Sequence, residues 1–284
     1  MRLASIVVAA GCLLTAAGTQ QTKTPGLVGE VREALGGEAA LAAVTSFSID
    51  GAGVWFSDSG SIRHSMRIDC QLPDKMVVTR LQSERGTRIT ERDGVNGTEL
   101  IRETVVSYYS GPADRDASAD TPESKEAERR RRFLRAKQWF AALTMLLFAQ
   151  TNATHPLQLT DAGTVDLQDA PARLIEGRAA DGSVMRLFVS PVTRLPMVVR
   201  WLATRQLTAL PATKTLMPPA EVDHALASSP VEHELCAGDY KVENAVKWPR
   251  VLIEYVGGRE IEELTLRSIK LNPKLPADTF QPTK

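Results

Sequence analysis

The chain has 284 residues, 43% of them hydrophobic, and 34 lysines and arginines that balance 34 acids. That length suffices for one large domain or two small ones. A net charge of zero excludes the basic footprint of a nucleic-acid binder.

Arg2 precedes an apolar run from Leu3 to Leu14, and the small residues Thr15, Ala16 and Ala17 follow. This is the three-part plan of a secretory signal, with cleavage expected after Ala17. The run is short of the ~20 apolar residues a spanning helix needs, so no transmembrane segment is expected in the mature chain, 18–284. The expected location is periplasmic or secreted. A lipoprotein box at Ala9-Ala10-Gly11-Cys12 is the lesser alternative: it would anchor the chain through Cys12 but leave only Leu3 to Val8 as the apolar core. Cys70 and Cys236 remain; an oxidising compartment would allow them to pair, but sequence alone does not require it.

From Leu27 to Val44 apolar residues recur at roughly helical spacing, broken by Gly36-Gly37, which predicts two short helices. The period then changes to two. Phe47, Ile49, Gly51, Gly53 and Trp55 alternate with polar or small residues, as do Ile62, His64, Met66, Ile68 and Cys70, with a turn at Asp58-Ser59-Gly60. Further strands are predicted over 75–81 and 87–91, and Asn96-Gly97 marks a hairpin. Small, acidic residues from Gly111 to Thr121 predict a loop.

A long helix is predicted over 123–150. Glu126 stands four residues before Arg130 and Glu128 four before Arg132, the favourable order for ion pairs, so Arg129 to Arg132 read as a solvated face. Projection at 3.6 residues per turn puts Phe133, Ala136, Trp139, Phe140, Leu143, Leu146 and Leu147 on one broad face. A narrower strip of Leu134, Ala141, Met145 and Phe148 lies nearly opposite. Leaving such side chains in water forgoes roughly 1.5 to 3 kcal/mol each, so the strip calls for a second covered surface, a ligand or a partner.

Strands resume over 172–178 and 183–189 around Asp181-Gly182, then 197–206. Residues 210–230, rich in proline, alanine and serine, predict an irregular excursion. A last hairpin is predicted from Arg250 to Leu271 around Gly257-Gly258. Runs of antiparallel strands with segregated helices make the expected class α+β.

Chemistry-bearing motifs are scarce. The sequence has no nucleophile elbow, zincin helix, phosphate loop or dinucleotide fingerprint, so no catalytic residue and no cofactor is expected. His233 and Cys236, with His224 upstream, are the only metal-like spacing, and they lack a second convincing ligand pair, so no metal is expected either. Glu262 and Glu263 fall on opposite faces of a strand and cannot share a proton.

The C-terminal segments Gly238-Asp239-Tyr240-Lys241-Val242, Val246-Lys247-Trp248-Pro249-Arg250, Ile269-Lys270-Leu271-Asn272-Pro273 and Phe280-Gln281-Pro282 resemble the ending of the LolA-like outer-membrane lipoprotein-sorting carriers. Ala34-Leu35-Gly36-Gly37 with Leu41, and Pro191-Val192-Thr193-Arg194-Leu195-Pro196, agree with that resemblance. It implies a single domain over 18–284, built as a curved antiparallel sheet that forms an incomplete β-barrel covered by helices. It also implies a non-catalytic carrier or sensor for an apolar ligand: an acyl chain, a lipid or a lipidated protein. Under that reading the long helix covers the barrel mouth. Trp55, Phe133, Trp139, Phe140 and Leu143 would then line the ligand site, and Leu134, Met145 and Phe148 would form the second strip. The alternative is an envelope interaction module with a filled core that docks on a membrane-complex partner.

Overall fold

A computed structural model describes residues 26–58, 60–84, 87–108, 122–204 and 230–281. The expected signal (1–17), the whole loop at 111–121 and all but Pro230 of the excursion at 210–230 lie outside them. Helices α1 (Leu27–Leu35) and α2 (Glu38–Ala42) lead into five strands. These are β1 (Ser46–Ser57), β2 (Gly60–Gln71), β3 (Lys75–Glu84), β4 (Thr87–Asn96) and β5 (Glu99–Tyr108). Helix α3 (Pro122–Phe148) separates them from a second run: β6 (Leu157–Leu167), β7 (Ala170–Ala179), β8 (Val184–Val189), β9 (Pro196–Thr204) and β10 (Pro230–Gly238). The small ribbon β11 (Lys241–Glu243) and β12 (Val246–Trp248) precedes the hairpin β13 (Val251–Val256) and β14 (Arg259–Leu271).

Twelve strands make one antiparallel sheet in the order β5-β4-β3-β2-β1-β14-β13-β10-β9-β8-β7-β6. Each run of five is a meander, and the last hairpin sits between them. The sheet curls into an incomplete barrel whose edges, β5 and β6, do not pair with each other. The chain passes from one edge to the other through α3, which packs across the concave face against β4, β5, β8, β9 and β10.

The two halves of α3 differ. Arg129, Arg130 and Arg131 are exposed, and Arg130 pairs with Glu126 at 3.2 Å. From Gln138 to Ala149 every residue is buried, as expected for a helix segment that is apolar on all sides. Its end is fixed by α1, where Arg32 donates a hydrogen bond to the Phe148 carbonyl oxygen at 2.8 Å. A cation there also opposes the negative end of the helix dipole. Phe148 packs on Phe47 of β1 and edge-on to Trp248 of β12, with ring centroids 5.6 and 5.5 Å apart. The same chain therefore covers Met145 and Phe148, and these two need no outside partner; of the narrow strip only Leu134 stays open, at 39% exposure.

Cys70 and Cys236 are free thiols. Cys70 lies in the main core, whereas Cys236 joins Phe188, Met197 and Val198 in a separate cluster on the other face of the sheet. A third cluster, Val77 and Ile101 with Phe280, ties the C-terminal segment to the outside of β3 and β5.

Candidate functional site: a charged tract across the concave face

The middle of the concave face carries two similar groups of polar side chains. His64 of β2 stands opposite Gly53 of β1. A Cβ on Gly53 would lie 2.3 Å from His64 Nε2, so the missing side chain lets the imidazole lie across β1 and reach β14. There Nε2 comes to 2.9 Å from Glu262 Oε1, although the ring is poorly aligned for a hydrogen bond and both its nitrogens lack one. Arg80 of β3 donates to Glu262 from Nε and Nη2, each at 3.0 Å, the two-pronged geometry that favours arginine over lysine. Trp55 of β1 stacks on His64 with centroids 4.4 Å apart, and the Arg80 guanidinium lies 5.5 Å from the Trp55 ring.

The second group lies on the far side of β13. His233 of β10 stacks on Trp201 of β9, centroids 5.3 Å apart. Its Nδ1 lies 3.3 Å from Glu254 Oε1 of β13, and Arg135 of α3 approaches the same carboxylate at 3.8 Å. Glu254 and Glu262 are direct cross-strand partners, so the two tryptophan, histidine, glutamate and arginine groups meet at the β13–β14 pair. Both carboxylates are buried, at 5% and 2% exposure.

Burial opposes ionisation of Glu262, but the Arg80 guanidinium and the contacts from His64 and Arg80 outweigh it and hold the carboxyl down at about 2. Burial likewise works against the charge on Arg80, and Glu262 more than restores it. Glu91 of β4, opposite Arg80, is pushed up by burial and by Asp93, with Arg80, Arg102 and His64 opposing. A carboxyl held that low stays ionised throughout the neutral range.

Of the residues expected to line the ligand site, Trp55 belongs to this tract and is half-buried. Phe133 is half-buried on α3, with Lys137 Nζ 5.2 Å from its ring. Trp139 is 7% exposed, while Phe140 and Leu143 are sealed in the main core. His64, Arg80, Arg135, Trp201, His233, Glu254 and Glu262 were not expected. One sign of them was available: His64 shares a strand face with Met66 and Ile68, and Glu262 with Leu264 and Leu266, so each is a polar residue in an apolar register. The metal-like spacing does not converge, since His233 faces Glu254 and Cys236 belongs to the cluster on the opposite face; His224 lies outside the described residues.

No family model matches the chain, and no curated protein matches it. Among solved structures it is similar to a LolA superfamily protein from Nitrosomonas europaea, with 12% identity over 89% of this chain and 96% of that one and a TM-score of 0.46. A putative outer membrane lipoprotein-sorting protein domain from Vibrio parahaemolyticus aligns at 11% identity over 90% and 96% of the two chains, also with a TM-score of 0.46. A DUF1329 family protein from Desulfovibrio piger aligns at 9% identity over 90% and 94%, with a TM-score of 0.45. At such identities the site has to be argued from its own residues.

Proposed function

We propose that this chain is an exported, non-catalytic envelope protein that holds an acyl chain, a lipid or a lipidated protein against the concave face of its open sheet. The observation that supports the reading is the unequal cover that α3 provides. Its second half is sealed in the core, while around its first half the apolar side chains stay partly open. Trp55 and Phe133 are half-buried, and Leu134 is 39% exposed. At the rim Ile89 and Val106 are cross-strand partners, and Val106 is 40% exposed. A mostly apolar recess with a few placed polar groups is the usual form of a small-ligand site. Because Phe140 and Leu143 are sealed, a long chain reaches them only if α3 lifts, so the half-buried Trp55 and Phe133 meet the ligand first and Trp139, 7% exposed where the sealed half of α3 begins, comes next. Among the described residues no helix is long and apolar enough to cross a membrane.

The filled core beneath the last turns of α3 favours one other reading, an interaction module that docks on an envelope protein. Native mass spectrometry of protein purified from its own envelope separates the two. The carrier reading expects a co-purifying acyl compound and an N-terminus near residue 18. Ligand-free protein that binds no fluorescent acyl probe, or an intact Met1, overturns it.

A further inference from the structure

Buried polar groups are almost always hydrogen-bonded, and each exception in a native fold asks for an explanation. Several exceptions gather around the charged tract. The indole Nε1 of Trp139 and of Trp201, the Gln138 Oε1 and the His64 Nδ1 are all buried without a hydrogen-bond partner, on residues 7%, 3%, 5% and 5% exposed. Trp201 stacks on His233, which contacts Glu254. Gln138 and Trp139 follow Arg135 by three and four residues, so they share its face of α3, and Arg135 approaches Glu254. His64 borders the same pair of carboxylates from the Glu262 side. Two further orphans, Arg200 Nε and Trp248 Nε1, sit elsewhere, beside Phe188 and Phe47.

The chemistry of these orphans is specific. An indole N–H only donates, and two of them flank a tract in which Arg80 and Arg135 already balance Glu254 and Glu262. Asp93 and Glu91 on β4 add negative charge beside Arg80, and Arg102, the cross-strand partner of Asp93, offsets part of it. A buried anion would find no spare cation among these groups and would meet several carboxylates, which is costly. An uncharged acceptor would satisfy the indoles without disturbing the balance.

Resting on the carrier reading, we propose that the tract is the polar-end site for an uncharged acyl ester or amide, whose carbonyl oxygen accepts hydrogen bonds from Trp139 and Trp201 while its chain lies along the partly open apolar side chains of Trp55 and Phe133. Gln138 Oε1 then accepts from a hydroxyl or amide N–H next to that carbonyl.

The test is displacement of a polarity-sensitive acyl fluorophore from the full mature protein by three ligands of equal chain length: methyl oleate, oleyl methyl ether and oleate. The ester should compete about tenfold better than the ether, the order expected for one or two neutral hydrogen bonds in a dry site. Oleate at pH 7 should be weaker than the ester by a similar factor or more. In Trp139→Phe and Trp201→Phe, which keep ring area and lose the N–H, the ester should fall toward the ether while the ether is unchanged. Equal ester and ether affinities in the wild-type protein would mean that water alone satisfies the orphans, which overturns the site and leaves the carrier reading intact. Failure of all three ligands to displace the probe overturns both. Should one variant not fold, the other variant and the wild-type ester-to-ether ratio still decide.

Discussion

Replacing Arg80 with methionine removes the guanidinium from Glu262 and keeps most of the side-chain volume. The Glu262 carboxyl is held at about 2 against an ordinary value of 4.5. By linkage that depression corresponds to about 3 kcal/mol of folding stability, fully present above pH 4.5 and lost as pH falls through the folded value. Breaking a buried pair from one side costs about 3–5 kcal/mol, because the remaining charge stays in the interior. The two routes agree, so Arg80→Met should lower the unfolding free energy at pH 7 by about 3 kcal/mol or more, measured by urea denaturation. Without its cation, burial raises the Glu262 carboxyl, so at pH 4 more of it is protonated and the deficit relative to wild type should shrink. The double variant Arg80→Met with Glu262→Met should recover most of the loss, since an apolar pair of matched volume often replaces an ion pair at little cost. A single variant within about 1 kcal/mol of wild type at pH 7, or a double variant as unstable as the single, would refute the reasoning.

Gly53→Ala should expel the His64 ring, because a Cβ would lie 2.3 Å from its Nε2; about 1–3 kcal/mol should be lost, with a change in Trp55 fluorescence as its stacking partner leaves. Phe148→Ala should cost about 3–5 kcal/mol, whereas Leu134→Ala on the same strip should stay within about 0.5 kcal/mol; equal effects in thermal melts would contradict the burial difference. Gly258→Val should lower the melting temperature, because Gly258 has φ +77 in the β13–β14 turn and a β-branched residue is strained there. An unchanged melt would contradict that turn.

Much of the fold was legible because it is local. The alternating runs became β1 and β2, and the glycines of the turn dipeptides sit at positive φ: Gly97 at 59, Gly182 at 85 and Gly258 at 77. Of the twelve strands of the large sheet, β6 and β10 escaped notice. β6 lies at a sheet edge, and most of its residues face solvent, so no apolar face marks it; its pairing also shifts between Asp161 and Thr164. β10 interleaves charged residues with Leu235 and Cys236 beside a proline-rich stretch. The periodicity of α3 was misleading for a related reason. Its second half is enclosed on every side, so two apolar strips appeared where there is one buried rod. The charged tract was out of reach because it is assembled at long range. Arg80 meets Glu262 from 182 residues away, and only strand order, which no local pattern encodes, brings them together.

The place of the last hairpin has a consequence for assembly. Strands β1 to β5 and β6 to β10 can each zip up between neighbours in sequence, but β1 and β10 do not touch each other; each is sealed by β14 or β13. While the chain is being made, both meanders therefore wait with a bare inner margin, and either margin is a template for mispairing. The hairpin acts as a keystone, synthesised after the two flanks it joins. It also brings Glu254 and Glu262, so the ionic centre and the seam of the sheet are completed in one step.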